Sequence, residues 1–531
     1  MNDTMEQNSS ASDGARVHTA SMSDPRRLRV ASMFIALIGA AGCVVYSPAL
    51  TVVAVVGVLV FFTLCSEKRL KYALFALALY TPFEEFILKW IPSDYFFYAR
   101  FGHYAFLTVC FAVILIRRFA EGRPLWIRTP LDVPLLLFLA VSCISLFLNR
   151  VPPFAAVLSY QPFLRFVLLG FYLVMFIEFD KRDAVWLTKA MLTVVFVQCL
   201  IGLAQSAIGV RASNFLAPVG VDFMGHVTGR MSQQIYAGRY QIFATLGRYN
   251  VLGLFLGTFL LLSIPLYQRY KRARKAFLAL YCVLFPCLVL ASARAAWLAT
   301  LAGATVVFAV QKRAKTIAVP IAVGVVVLVA IMAFPEHVSY FASEEATSLQ
   351  RFLEPFSAEY RAAASLKYGR LYYVFGFPYD VFSLGPRPFL LGFGPGALGG
   401  RAVDIFGIYA LADIGVRLDW HHFVHDVNWA YIFGQVGLVG LALFGWVCVR
   451  LFSVALRVYR TADDVLLKDL SVGFIGILVL FVVAAFLFPI WEVRSLSLYF
   501  WLYAGIVLKL RTAERAEASR VQGNGDSERK S

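Results

Sequence analysis

From about residue 30 to about residue 510 the chain is a succession of apolar stretches. Each is close to 20 residues long, and each is closed by a Lys and Arg cluster or by a turn of Pro, Gly and aromatic residues. A helix needs ~20 apolar residues to cross a hydrocarbon core ~30 Å thick, and inside that core no water satisfies backbone amides. The pattern therefore predicts an all-α polytopic membrane protein of about twelve to fourteen transmembrane helices. The spans fall near 30–48, 50–65, 72–91, 101–116, 131–148, 166–178, 184–208, 249–267, 276–291, 295–311, 316–334, 428–448, 470–490 and 496–510. Composition agrees, with 60% of the 531 residues hydrophobic and 15% charged, against roughly 45–50% and 25% in soluble domains.

Cytoplasmic loops retain Lys and Arg, so the basic clusters set the orientation. Arg26, Arg27 and Arg29, "SEKRLK" (66–71), Arg117 with Arg118, Arg123 and Arg128, "DKRD" (180–183), "QRYKRARK" (268–275), "QKRAK" (311–315) and Arg450 with Arg457 and Arg460 fall at every second loop. Both termini are then cytoplasmic, and the long connections 209–248 and 335–427 lie on the other side, the larger one carrying surface helices. The polar ends, 1–29 and 511–531, are expected to be disordered. These clusters account for most of the net charge of +17, and no basic strip with interleaved aromatics points to nucleic acid. The eight cysteines lie in or beside spans without a CxxC pair, which indicates neither a disulfide framework nor a thiolate metal site.

Four stretches hold polar residues that spanning helices do not need. In "WHHFVHDVNWAYIFGQVGLVG" (420–440), His421 and His425 share a helix face, with His422, Asp419 and Asp426 beside them. The donor types suit zinc, but the spacing is no strong metal signature. A His titrating near neutrality suits acid–base work, and Asp426 suits the N-cap of a span that starts at Val427 or Asn428. Those last two readings weigh equally.

Arg294, in "ASARAAWLATLAG" (291–303), falls in a short extracytoplasmic turn. Its fork suits a phosphate, although a snorkelling Arg would look the same. Arg370, in "KYGRLYYVFGF" (367–377), reads as solvated surface unless it faces Arg294 across a cleft. In "GRYQIFATLGRYNVLGLFLG" (238–257), Arg239 and Arg248 precede Asn250, which suits a helix cap or a sugar hydroxyl. Glu84 and Glu85 read as a structural pair with Lys89.

In their order along residues 228–445, these stretches resemble the O-antigen ligase and O-antigen polymerase superfamily of bacterial membrane glycosyltransferases. The carriers are "GRYQIFATLGRYNVLG", "SARAAWLA", "GRLYYVFGFPYDVFSLGPRPFLLGFGPGAL" and "HDVNWAYIFGQVGLVG". Three departures stand out: Asp426 replaces the usual Asn, Gln435 a frequent Glu, and His425 is one residue further from Gly437, which leaves His422 open as the functional histidine.

The resemblance implies a GT-C-like fold at the bacterial inner membrane with a periplasmic active face. It implies transfer or polymerisation of undecaprenyl-diphosphate-linked oligosaccharide or polysaccharide, without metal or cofactor. The acceptor would be a glycan or lipid core, with a flippase and a chain-length regulator as protein partners and no nucleic acid. In that setting Arg294 and Arg370 stabilise the diphosphate leaving group and His425 acts as base or acceptor-orienting group. Asn250, Arg239, Arg248, His422 and Asp426 contact substrate, and Tyr368, Tyr372, Tyr373 and Trp420 stack on sugars. Composition alone also fits a secondary transporter or a non-catalytic envelope-assembly subunit. Polar candidates crowding the outer face favour the enzyme.

Overall fold

The computed structural model describes residues 66–218, 239–313, 365–367, 369–399 and 406–530, with the short pieces 221–223, 226–228, 235–236, 362 and 403. The spans expected near 30–48, 50–65 and 316–334 lie outside the described residues. The chain divides into two units, 1–70 with 108–126, and 71–107 with 127–531. In the first, the Glu67 carboxylate accepts from Arg118 Nε at 2.8 Å and Arg123 Nη1 at 3.1 Å, which ties two of the basic clusters together.

The described helices begin with α1 (Leu70–Tyr80), α2 (Glu84–Leu88), α3 (Ser93–Ala120) and α4 (Asp132–Leu148). Then come α5 (Pro153–Phe176), α6 (Lys181–Ile208), α7 (Val210–Leu216), α8 (Tyr249–Arg269), α9 (Arg274–Leu290) and α10 (Arg294–Val310). Within the long connection 335–427 lie α11 (Phe377–Ser383) and α12 (Pro386–Leu391), and after it follow α13 (Asn428–Thr461), α14 (Val465–Ala484) and α15 (Arg494–Lys530). Among the described residues, seven helical stretches are long and apolar enough to cross a membrane, including Tyr98–Ala120, α5, α6, α8, α13 and α14. The protein is thus an all-α, multi-pass membrane protein. Its only described strands are two short antiparallel hairpins, Val221–Phe223 with His226–Thr228 and Ile235–Tyr236 with Arg239–Tyr240.

Several boundaries differ from the hydropathy reading, each for a local reason. Pro82 follows α1 and cannot continue it, so the span expected at 72–91 is split by a 3-10 turn, and Glu84 and Glu85 fall in the first turn of a new short helix. Helix α5 starts well before residue 166 because Pro153 fits a first helical turn, and its π-helical stretch at Val167–Tyr172 follows the internal Pro162. The tail expected to be disordered continues α15 to Lys530, and its first part, "TAERAEASR" (512–520), is rich in the helix formers Ala, Glu and Arg.

In the second unit, α8 and α14 are the most enclosed spans, and Gly253 of α8 lets Ala293 and Ala296 come close. Ion pairs gather the basic helix ends. Lys71 meets Asp183 at 2.8 Å, Lys181 meets Asp464, and Arg269 meets Asp469 at 3.6 Å. Arg511 meets Glu514, whose other oxygen accepts the amides of Asp463 and Asp464. The opposite ends of these helices carry the candidate residues.

Helix α13 is broken at Gly437, where φ is 67° and ψ −170°. The carbonyls freed there accept other donors: Gly434 from the Phe393 amide at 2.8 Å, and Gln435 from the Gly394 amide at 3.0 Å and Ser145 Oγ at 3.1 Å. Non-helical backbone in a span survives only where protein groups satisfy it in this way. A Cβ at Gly437 would enter a backbone region almost confined to glycine and strike the Leu390 carbonyl. Gly437→Ala is expected to cost about 3 kcal/mol or more, read as a lowered thermal midpoint in detergent. Gly445→Ala, where a Cβ meets nothing within 4 Å, should leave the midpoint nearly unchanged.

Candidate functional site

At the end of the second unit away from the basic cluster, a cavity of about 470 Å³ is lined by Glu84, Glu85, Arg100, Arg248, His425, Asp426, Glu492 and Arg494, with a few smaller neighbours. Arg494, the first residue of α15, reaches back to α2. Its Nη1 lies 2.5 Å from Glu84 Oε1 and its Nη2 2.8 Å from Glu85 Oε1. Arg100 of α3 adds a 3.3 Å contact to Glu85, and the Tyr104 hydroxyl donates to Glu84 at 3.3 Å. The split at Pro82 aims both carboxylates at these partners. The pairing expected between them and Lys89 does not form, because Lys89 donates to the carbonyls of Asn214 and Phe215.

His425 lies in a 3-10 stretch, Leu418–Asp426, just before α13. Its Nδ1 is 3.3 Å from Glu492 Oε2. Glu492 Oε1 accepts from Asn428 Nδ2 at 3.0 Å, and Asn428 Oδ1 accepts the Trp491 amide at 3.0 Å. Asn428 thereby fastens the loop between α14 and α15 to the start of α13, and that fixes the carboxylate that faces the histidine. Burial works to lower the His425 pKa, but Glu492, followed by Asp426, outweighs it and raises the value above that of a free histidine. The Cδ2–Nε2 edge of the ring lies against the Gly399 backbone, where a Cβ would collide with it. Nε2 is buried with no well-formed hydrogen bond to a described residue.

Arg248 occupies the N-cap position of α8 in extended conformation and makes no side-chain cap. Its guanidinium faces the cavity without a hydrogen bond or ion pair to any described residue. Burial pushes its pKa down to about 10 against the pull of Glu85 and Asp426, so it is still a cation at neutral pH. Arg370 enters the site indirectly, with Nη2 3.4 Å from Asp426 Oδ2. Asp426 is spent on that pair and does not cap α13, whose N-cap position is Val427 and has no side-chain cap.

The structure therefore brings together His425, Asp426 and Arg248, with Arg370 behind them. Arg294 opens α10 and Asn250 is the second residue of α8; neither lines the cavity. The side chains of Arg239 and His422, and the whole of Tyr368, lie outside the described residues. Tyr372 and Tyr373, expected to stack on sugars, are 7% and 1% exposed and pack with Phe377 in a hydrophobic core that Trp420 flanks. Among the described residues no three His, Cys, Asp or Glu side chains gather as a metal shell.

Sequence reasoning missed Glu492, Arg494 and Arg100. The available signal was "FPIWEVRS" (488–495), where two opposite charges sit between strongly apolar spans. Charges that close to hydrocarbon are costly and call for partners. The adjacent Glu84 and Glu85 pose the same demand.

No family model matches the chain, and no curated protein matches it.

Proposed function

We propose that the protein is a glycosyltransferase of the bacterial inner membrane. It transfers or polymerises glycan carried on undecaprenyl diphosphate, at the periplasmic face. The observation that carries this reading is the joint placement, in one cavity at the ends of apolar helices, of a histidine–carboxylate pair and a guanidinium with no ion pair among the described residues. The four motif stretches and the alternation of basic loops support it.

In this reading the acceptor hydroxyl attacks the anomeric carbon of the donor and the bond to the diphosphate breaks. The departing diphosphate takes the electron pair, and Arg248 meets the charge that develops. The hydroxyl proton passes to His425, whose cationic form Glu492 stabilises. Arg370 holds Asp426 at the cavity edge. Polymerase and ligase differ only in the acceptor, another carrier-linked repeat or a terminal glycan or lipid core.

The test is a deletion strain rescued at matched protein levels, with surface polysaccharide and the carrier-linked pool both measured. Loss of long chains with single repeats retained marks a polymerase. Long chains stranded on the carrier mark a ligase. Arg248→Gln should lower output by about 10²–10³-fold, the usual cost of removing one charge-stabilising donor. Asn250→Ala should stay near wild type. Full rescue by both Arg248→Gln and His425→Ala would defeat the enzymatic reading.

A further inference from the structure

The His425 ring lies over the ring of Tyr431, with centroids 3.9 Å apart and planes 33° from parallel. Tyr431 is itself held from behind. Its hydroxyl shares a 2.7 Å hydrogen bond with Ser159 Oγ of α5, and Ser159 Oγ accepts from Gln435 Nε2 at 2.9 Å. The chain ends at the break in α13, where the Gln435 carbonyl takes the Gly394 amide and Ser145 Oγ. Tyr431, Ser159 and Gln435 are 5%, 7% and 1% exposed. Three polar side chains this deep among apolar helices are costly unless bonded, and here each satisfies the next, which leaves each one favoured rotamer.

We infer that Tyr431, anchored through Ser159 to Gln435, is a positioning residue that fixes the plane of the His425 ring and stabilises its cationic form. The inference rests on the reading of His425 as the base. Glu492 fixes the rotation of the imidazole through Nδ1, Gly399 limits its Nε2 edge, and the Tyr431 face sets its tilt, so the orientation of the ring is determined. An aromatic face also attracts the cation formed once the proton has moved. The other charged groups described around the ring are Asp426, with Arg370 behind it, and, lining the same cavity, Arg248, Arg494, Arg100, Glu84 and Glu85. The broken helix acquires a purpose in this arrangement, because Gln435, whose carbonyl is taken up at the break by Gly394 and Ser145, also anchors through its side chain the ring behind the histidine.

The experiment compares the full-length protein in nanodiscs as wild type, Tyr431→Leu, Tyr431→Phe, Ser159→Ala and His425→Ala. Transfer from the carrier-linked glycan extracted from the deletion strain is followed against pH. Tyr431→Leu is expected to lower the maximal rate by about tenfold or more and to move the acid limb to lower pH, with donor KM unchanged. Tyr431→Phe keeps the ring but loses the same Ser159 hydrogen bond that Ser159→Ala removes, so both should fall between wild type and Tyr431→Leu. A readout independent of substrate is the ¹⁵N NMR titration of His425, assigned by difference against His425→Gln; its apparent pKa should drop in Tyr431→Leu.

If Tyr431→Leu keeps both rate and limb while His425→Ala is inactive, the positioning role is overturned and the base assignment stands. If His425→Ala is itself active, the site reading falls and this inference with it. Should Tyr431→Leu fail to fold, Ser159→Ala decides, since wild-type rate and titration there would show that the anchor does not act on His425.

Discussion

Replacement of His425 by Ala is expected to reduce transfer by about 10²–10⁴-fold, the contribution of a positioned acid–base group, and Glu492→Gln to reduce it by a smaller factor with a change of pH profile. The sign follows from the surroundings of the ring. Glu492 and Asp426 hold the His425 pKa above 6.5 although burial opposes them. The neutral imidazole is the base, so the wild-type rate rises as pH climbs through that raised value. Glu492→Gln removes the largest raising charge, burial then dominates, and the acid limb moves to lower pH while the maximal rate falls. The stability contributed by the protonated pair is fully present below the unfolded value near 6.5 and is lost as pH rises through the higher folded value. Rate profiles and thermal midpoints of the three proteins check both statements. A Glu492→Gln protein with the wild-type acid limb would break the pairing.

Half of this pair was legible in the sequence and half was not. His425, Asp426 and Arg248 stand immediately before apolar runs, where a polar residue has few structural uses beyond capping, and the structure shows that neither Asp426 nor Arg248 caps its helix. Glu492 and Arg494 occupy an equivalent place between α14 and α15, but a short charged turn between two spans reads as ordinary solvated surface until its partners are known. Those partners lie some 60 to 410 positions away along the chain, a separation that no local pattern encodes. The helices themselves were readable because hydropathy is a local property. The break at Gly437 was not, because it is repaired by amides of residues 393 and 394, and only that contact makes it tolerable. Tyr372 and Tyr373 misled for the converse reason, since aromatic residues in a loop can cover a core as readily as they face a ligand.

Arg494→Ala is expected to be among the most destabilising single changes in the second unit. It leaves Glu84, which is 2% exposed, and Glu85 with Arg100, a tyrosine hydroxyl and the longer-range charges of Arg165 and Arg248 to offset two carboxylates. Breaking a buried pair by removing one partner costs about 3–5 kcal/mol, because the remaining charge has lost its water and gained nothing in return. Arg494→Lys should recover only part of this, since an ammonium does not match the two-pronged contact to separate carboxylates. Arg494→Gln combined with Glu84→Gln and Glu85→Gln should recover more, because three of the four desolvated charges go together and Arg100 alone is left unmatched, and that ordering separates a charge effect from simple loss of packing. Thermal midpoints in nanodiscs measure it, and a triple variant less stable than Arg494→Ala would show that packing dominates. The cluster joins the starts of α2 and α15 to α3 across one wall of the cavity, while Glu492, two residues before Arg494, forms the other wall with His425. A loosened α15 start would therefore displace the carboxylate that holds the histidine, so Arg494→Lys is expected to lose transfer activity out of proportion to its loss of stability.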